Sequence, residues 1–167
     1  MRKYLAGMRK IPGQPLVKIQ KGRLIEWRRE NTLVKIAKPT RIDRARRLGY
    51  MAKGGFVVVR VRVKKGMRKR PKPSGGRVPK KAGRFFPLGK SKQQVAEERA
   101  ARKFPNLNVL NSYYAGEDGV SKWFEVILVD TSRPEIRNDR KISWICKGRH
   151  RGRAFRGLTS AGKGTKG

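Results

Sequence analysis

Cysteine and histidine are nearly absent from this chain, with Cys146 and His150 as the single example of each. One cysteine excludes a disulfide framework, and the two residues together exclude a zinc site built from the usual cysteine and histidine ligands. Cys146 lies in the apolar tripeptide 144–146 and is interpreted as a small buried apolar residue. We therefore expect no metal and no other cofactor.

Long hydrophobic runs are also missing. The apolar residues that follow Arg2 and Lys3 are interrupted at Arg9 and Lys10, so this stretch is too short for a signal peptide. No other stretch approaches the ~20 apolar residues of a transmembrane helix. We expect an intracellular, soluble protein that does not enter a membrane.

Acidic residues are scarce as well. The chain has 11 Asp and Glu and 45 Lys and Arg, which gives a net charge of +34. Self-repulsion at this density opposes a compact free state, so a strongly acidic partner is expected to neutralise the chain. Nucleic acid is the leading candidate, and an anionic membrane surface is the alternative. Eight of the eleven acids lie between residues 97 and 139, which marks that part as the scaffold.

One acid-free stretch, from Arg60 to Lys92, holds fourteen Lys and Arg among thirty-three residues. It begins in a predicted strand over 55–63, whose side chains alternate between a core-facing side and an anion-facing side. The first side holds Val57, Val59, Val61 and Val63, and the second holds Arg60, Arg62 and Lys64. The strand is expected to join a core to a polyanion.

The strand continues into a basic arm over 64–90, which is rich in proline and glycine. These residues exclude a regular helix or an interior strand, and the segment has too little apolar area to order by itself. We expect it to be disordered in isolation and to order on a polyanion, driven by counterion release. About 27 residues that leave the domain and return can reach roughly 40 Å into a partner.

Two helices and a short strand follow from local patterns. Leu33–Ile36 is a candidate strand, and 40–49 is a candidate helix with Thr40 as its cap and Gly49 as its left-handed stop. Ser91 and Gln94 form a capping-box pattern that starts a second helix, which Pro105 ends. Segment 22–31 is also compatible with a short helix, in which Trp27 is expected to anchor a small core.

A hairpin is predicted over 107–130, with its turn at 116–119. Its second strand is apolar on nearly both faces, which is typical of an interior strand. The element order β-α-β-α-β-β predicts an α+β fold with a small, mostly antiparallel sheet and leaves the strand order open. The predicted organisation is an irregular extension over 1–21, one domain over 22–130 interrupted by the arm, and a basic extension over 131–167. Trp144, Ile145 and Phe155 are the candidates to attach that last segment to the domain.

No catalytic constellation stands out, and we expect no enzyme. Residues 157–163 nearly match a phosphate-binding P-loop, but Gly164 replaces the magnesium-binding Ser or Thr and no convincing strand precedes the loop. His150 lacks a nucleophile or carboxylate partner at a meaningful spacing and is interpreted as a nucleic-acid contact. Glu97 and Glu98 are interpreted as salt-bridge partners of neighbouring Lys and Arg.

Seven stretches resemble one family, the archaeal and eukaryotic large-subunit ribosomal proteins of the fifteen-e class, which are unrelated to the bacterial protein of the same number. They are LIEWRRE (24–30), KPTRIDRARRLGY (38–50), GFVVVRVRV (55–63), AEERAARKFPNLNVLNSYYAGEDG (96–119), KWFEVILVD (122–130), WIC (144–146) and GRAFRGLTSAGK (152–163). The resemblance implies a structural, non-catalytic protein of the cytoplasmic large ribosomal subunit, with arms threaded between RNA helices. It also implies large-subunit ribosomal RNA and neighbouring ribosomal proteins as partners. No stable homo-oligomer is expected.

The resemblance marks a first set of RNA-binding candidates, namely Arg41, Arg44, Arg46, Arg47, Arg60, Arg62, Arg153 and Arg156. The basic runs add Arg28, Arg29, Lys64, Lys65, Arg68, Lys69, Arg70, Lys72, Arg77, Lys80, Lys81, Arg84, Arg149, His150, Arg151 and Lys163. Two alternatives stay open beside a ribosomal role. A histone-like DNA-compacting protein shares the charge but lacks an obvious apolar wedge apart from Phe85 and Phe86. An RNA-modifying enzyme is disfavoured because no catalytic set is visible.

Overall fold

The fold, taken from a computed structural model that describes residues 14–66, 68–86 and 88–164, combines helices with a small sheet. The helices are α1 (Gln14–Arg29), α2 (Ile42–Arg47), α3 (Lys92–Lys103), α4 (Pro134–Arg137) and α5 (Ser160–Lys163). The strands are β1 (Leu33–Ile36), β2 (Phe56–Lys64), β3 (Arg68–Lys69), β4 (Phe85–Phe86), β5 (Leu107–Glu117) and β6 (Ser121–Asp130). Short 3-10 turns occupy Pro79–Lys81, Ser143–Cys146 and Gly148–His150. The predicted α+β class is confirmed.

Four strands form one antiparallel sheet in the order β1-β2-β6-β5. In its centre, Val59 of β2 lies opposite Val126 of β6. The interior position predicted for the second hairpin strand is confirmed. A strand that is apolar on both faces needs a covering layer on each side, and the helices and loops supply those layers.

The valine face of β2 packs against α3. Val59 and Val61 are fully buried there, together with Ala96 and Ala100 of the helix. These small residues let the helix backbone approach the sheet closely. The Ser91 hydroxyl accepts a hydrogen bond from the Gln94 amide at 3.1 Å, so the predicted start of this helix is confirmed.

The opposite face of the sheet is covered by α1, α2 and a segment from the C-terminal part of the chain. Trp27 of α1 is buried against Trp123 of β6, with 6.0 Å between the ring centroids, which confirms its predicted anchoring role. The predicted irregular structure is wrong for residues 14–21, because α1 already begins at Gln14. Pro15 lies in the first turn, where a missing amide proton costs no helical hydrogen bond. The part of that prediction over 1–13 lies outside the described residues.

The segment after β6 packs onto the body. Ile136, Ile142 and Ile145 are buried in the cluster formed with Ile127 and Val129, whereas Ala154 is buried on the α3 side of the sheet. Ile145 is therefore an attachment point, as predicted. Phe155 is 46% exposed, so it does not attach the segment by burial in the body. Instead, the Arg102 guanidinium lies 5.5 Å from the centroid of its ring.

Two neighbouring carboxylates on α3 have different environments. Glu98 pairs with Lys90 at 2.7 Å and with Arg102 at 3.5 Å, which confirms the predicted salt bridges. Glu97 is fully buried and accepts hydrogen bonds from the hydroxyls of Ser112 and Thr159, each at 2.5 Å. Burial raises the pKa of Glu97, while the two hydroxyls and the nearby Arg153 oppose the rise. The salt-bridge interpretation is wrong for Glu97, whose partners come from two distant segments.

The arm contains one short antiparallel ladder. Arg68 pairs with Phe86 and Lys69 with Phe85, and the Arg70 amide donates to the Arg84 carbonyl at 2.8 Å. Phe85 is 59% exposed and Phe86 is 40% exposed. Between the two strands, the chain turns at Pro79–Lys81. The ladder is too short to bury apolar area, which fits a segment without a core of its own.

Candidate nucleic-acid interface

The arginine-rich helix α2 turns one small residue inward and three cations outward. Ala45 is fully buried against Ile127 and Val129 of the sheet, whereas Arg44, Arg46 and Arg47 are exposed. Ala45 is the one buried residue of this six-residue helix, and its small side chain lets the helix lie close to the sheet. The spacing of the three arginines is therefore fixed by the packing of the helix.

Gly49 ends this helix with a φ of 95°, as predicted for a left-handed stop. The prediction that Thr40 caps it is wrong, because the N-cap residue is Arg41 and no side chain caps the helix. Thr40 instead donates two hydrogen bonds to Glu125 of β6, one from its amide at 3.0 Å and one from its hydroxyl.

Glu125 is a fully buried carboxylate in the central strand. Besides the two bonds from Thr40, it accepts a hydrogen bond from the Tyr113 hydroxyl. Burial, together with the neighbouring carboxylate, raises the pKa of Tyr113, so the phenol remains a protonated donor. A buried carboxyl group requires such hydrogen-bond partners, and this requirement fixes the loop before α2 to the sheet.

Arg60 on the predicted basic face of β2 is used inside the protein. Its Nη2 atom bonds both oxygens of Glu30 at 2.9 and 2.7 Å, and its guanidinium lies 4.4 Å from the centroid of the Trp27 ring. Only 9% of the residue is exposed. The helix α1 lies over this face, so Arg60 is not presented to a partner as the sequence suggested.

The neighbouring cations on β2 are more accessible. Arg62 is half-buried and donates to the Arg28 carbonyl at 2.7 Å, whereas Lys64 is exposed. Lys65 is half-buried and pairs with Glu117 at 3.3 Å. The exposure of the cations on this face therefore increases along β2, from the buried Arg60 to the exposed Lys64.

Cations of the arm are almost all exposed, and this segment contains no acidic residue. The exposed members are Lys64, Lys69, Arg70, Lys72, Arg77, Lys80, Lys81 and Lys90, of which Lys90 pairs with Glu98 of α3. Arg84 is half-buried, and the side chain of Arg68 lies outside the described part. The Arg70 guanidinium lies 3.9 Å from the centroid of Phe86, which gives the arm a paired aromatic and cationic surface.

The C-terminal cations divide between surface and interior. Arg149, Arg151 and Lys163 are exposed, and Arg156 is exposed but donates to the Arg149 and Arg151 carbonyls. Arg153 is half-buried and binds the Val109, Leu110 and Leu158 carbonyls at 3.0 to 3.1 Å. Burial lowers the pKa of Arg153, while Glu97 opposes the decrease.

His150 lies edge-on to Trp144, with 5.0 Å between the ring centroids. Partial burial, and then the positive charge of Arg149, lowers the pKa of His150. An imidazole packed edge-on to an indole is a structural contact, and the predicted nucleic-acid contact of His150 stays a prediction. The P-loop resemblance is not matched by the local fold, because a turn rather than a strand precedes the four-residue α5.

The predicted RNA-binding residues thus fall into three groups. The exposed ones are Arg28, Arg29, Arg44, Arg46, Arg47, Lys64, Lys69, Arg70, Lys72, Arg77, Lys80, Lys81, Arg149, Arg151, Arg156 and Lys163. The half-buried ones are Arg41, Arg62, Lys65, Arg84, His150 and Arg153, and the buried one is Arg60. Further exposed cations that the sequence interpretation left out include Arg23, Lys38, Arg140, Lys141 and Lys147. Charge alone was the signal for them, and it does not rank one surface cation above another.

Most carboxylates of the scaffold are occupied by cations of the same chain. Asp118 pairs with Arg28 at 2.9 Å, Asp139 pairs with Lys53 at 2.6 Å, and Glu117 pairs with Lys65 and Lys122, each at 3.3 Å. These contacts lower the pKa of Glu117 and Asp139, and backbone amides lower that of Asp118. Internal pairing leaves a large positive excess on the arm and on α2.

Among residues 14–66, 68–86 and 88–164, no group of His, Cys, Asp or Glu could hold a metal ion. None of the described helices has the length and apolar character needed to cross a membrane. A small α+β body that presents clustered cations on a helix, an arm and a C-terminal segment has the charge pattern of structural proteins that bind polyanions.

A family model described as Ribosomal L15 matches residues 1–167, which is the whole chain. The chain belongs to this family of L15e-type ribosomal proteins, structural constituents of the large subunit of the cytoplasmic ribosome that act in translation. The family resemblance seen in the sequence is thereby confirmed, and the match also covers residues 1–21, where the sequence showed little resemblance. Binding to ribosomal RNA is expected of its members, and neighbouring ribosomal proteins are their partners.

Proposed function

We propose that this chain binds large-subunit ribosomal RNA through α2, the arm over 64–90, the end of α1 and the C-terminal segment. The observation that carries the proposal is the arm, whose exposed cations have no carboxylate anywhere in the same segment. Phosphate contacts of this kind position a protein on RNA by shape and charge rather than by reading bases.

The share of β2 in this surface is smaller than its sequence suggests. Arg60 is bound to Glu30 and Trp27, and we assign it to the fold. Arg153 is bound to three carbonyls, so we assign it to the attachment of the C-terminal segment. Lys64, at the end of the strand, and the exposed arginines of α2 supply the phosphate contacts near the sheet.

The test replaces with glutamine the six exposed arm cations between residues 69 and 81: Lys69, Arg70, Lys72, Arg77, Lys80 and Lys81. Each phosphate contact steepens the dependence of log binding constant on log salt by roughly 0.7 to 0.9, so loss of six contacts flattens that slope by about 4 to 5. Filter binding to protein-free large-subunit rRNA over a salt series measures it. A matched variant that changes the four lysines to arginine keeps the charge and should keep the slope.

Sedimentation of cell lysates in sucrose gradients at rising salt checks the same proposal on the assembled particle. The unaltered chain should stay with the large subunit until the particle unravels, and the glutamine variant should leave at lower salt. An unchanged slope and unchanged retention would remove the arm from the interface. Equal protection of the arm from protease by duplex DNA and by rRNA would favour the histone-like alternative.

A further inference from the structure

A pocket of about 530 Å³ opens between the end of α2 and the segment that precedes the 3-10 turn at Ser143–Cys146. It is lined by Tyr50, Met51, Leu110, Trp144, Arg46 and Lys141, among others. Its volume falls within the ~300 to 1,000 Å³ of sites that hold small organic groups. The lining includes two exposed cations and no carboxylate.

The aromatic walls of this pocket are held in place by contacts outside it. The Tyr50 amide donates to the Ala45 carbonyl at 3.0 Å, and the Tyr50 ring packs edge-on to Phe56 at 5.8 Å. The Trp144 Nε1 atom donates to the Lys141 carbonyl at 3.2 Å, and the Arg153 guanidinium lies 4.8 Å from the centroid of the Trp144 ring. Both rings are therefore positioned before any ligand arrives.

Gly49 shapes the entrance. Its φ of 95° turns the chain after α2, and a Cβ at this position would lie 3.4 Å from the Leu110 side chain. Arg46 of the helix and Tyr50 after the turn line the same pocket. A fixed aromatic and cationic pair is thus built by the local backbone.

Two kinds of group meet here, and each matches one part of a nucleotide. Aromatic rings stack on the face of a base, and exposed Arg or Lys contacts a phosphate. A base inside a duplex offers no free face, whereas an unstacked base does. An apolar protein side chain would fill the walls but leave Arg46 and Lys141 without a matching charge.

We propose that this pocket holds one unstacked nucleotide of the large-subunit rRNA, with its base against Tyr50 and Trp144 and its phosphate between Arg46 and Lys141. The inference rests on the proposed RNA binding and names a contact that phosphate neutralisation alone does not require. It adds a site for a base to a surface that otherwise contacts the backbone.

The test fills the pocket without removing a cation. Ala52 lines the pocket and is exposed, so Ala52→Trp should occupy the space for the base. Stacking of one base contributes enough that its loss should weaken binding to protein-free large-subunit rRNA by about 5-fold to about 150-fold. The salt slope should stay unchanged, and so should binding to a fully base-paired RNA duplex.

Ala37→Trp is the matched control, because Ala37 is exposed just after β1 and does not line the pocket. It should bind rRNA as the unaltered chain does. Urea midpoints of both variants check that they fold. If Ala52→Trp binds rRNA like Ala37→Trp, the pocket is no nucleotide site, although the proposed arm contacts stand. If the unaltered chain does not prefer rRNA over duplex DNA, both proposals fail.

Ultraviolet crosslinking of intact large subunits gives a second measurement that needs no variant. Peptides that contain Tyr50 or Trp144 should have the added mass of a nucleotide after digestion. Nucleotide adducts at Phe85 and Phe86 with none at Tyr50 or Trp144 would place the base contacts in the arm and overturn the pocket proposal. Crosslinks from Tyr50 or Trp144 to another ribosomal protein, with none to RNA, would identify a protein as the occupant and also overturn it.

Discussion

Replacing Arg60 with alanine is expected to lower the free energy of unfolding by about 2 to 3 kcal/mol and to leave RNA binding by the folded protein nearly unchanged. The guanidinium is a partner of Glu30 through two contacts and of the Trp27 ring through a third. The sequence pattern predicts the opposite, namely a phosphate contact. The variant therefore separates the two interpretations of the same arginine.

The magnitude follows from the surroundings. Breaking a fully buried ion pair costs about 3 to 5 kcal/mol, but the Glu30 side chain is 33% exposed, so water screens it and the cost falls to about 1 to 2 kcal/mol. Stacking of the guanidinium on Trp27 adds about 0.5 to 1 kcal/mol. Lost packing of the aliphatic stem against α1 adds to both.

Urea unfolding and rRNA filter binding are measured on the same preparations. Arg47→Ala is the matched control, because Arg47 is an exposed arginine of α2. It should change the free energy of unfolding by less than about 0.5 kcal/mol and flatten the salt slope by about 0.7 to 0.9. An unchanged urea midpoint for Arg60→Ala, combined with a flatter salt slope, would refute the assignment of Arg60 to the fold.

Three further perturbations test the packing. Val61→Ala removes two methyl groups from a fully buried site and should cost about 2 kcal/mol in urea unfolding, whereas an unchanged midpoint would show that α3 does not pack there. Because the folded pKa of Glu97 is raised, the stability that its protonated form contributes is lost as pH rises above the ordinary value of 4.5. Glu97→Gln should therefore raise the free energy of unfolding, relative to the unaltered chain, by more at pH 7 than at pH 4. A gain independent of pH would contradict a raised pKa. Gly162→Ala places a Cβ 2.6 Å from the Gly157 Cα and should cost about 1 to 3 kcal/mol and expose the C-terminal segment to protease, whereas an unchanged cleavage rate would contradict this close approach.

Local patterns predicted most elements of the fold. Strand Leu33–Ile36 agrees with the structure residue for residue, and the helix that follows Ser91 starts at its predicted cap. Both depend on alternation or capping within a few residues, which a sequence displays directly. The half of α1 before residue 22 was not predicted, although Pro15 is compatible with a helix because it lies in the first turn.

Partners that lie far apart in the chain were not predictable in this way. Arg60 finds Glu30 thirty residues away, and Glu97 finds Thr159 sixty-two residues away. For the candidate site, net charge established the sign of the partner. It could not tell which cations the fold uses for itself, since that depends on which helix covers which face of the sheet. The pocket beside Tyr50 and Trp144 was not predicted either, because it is formed by segments that lie far apart in the chain.

The bonds that Glu125 accepts from Thr40 and Tyr113 have a consequence for the order of events on RNA. Because they tie the loop before α2 to the central strand, the arginines of that helix are already spaced when a partner arrives. The entropy of arranging them is lost during folding and does not weaken the first encounter. Under the proposed function, the preformed body binds the RNA first and the arm becomes ordered on it afterwards. Recognition of RNA shape therefore precedes the contacts that make dissociation slow.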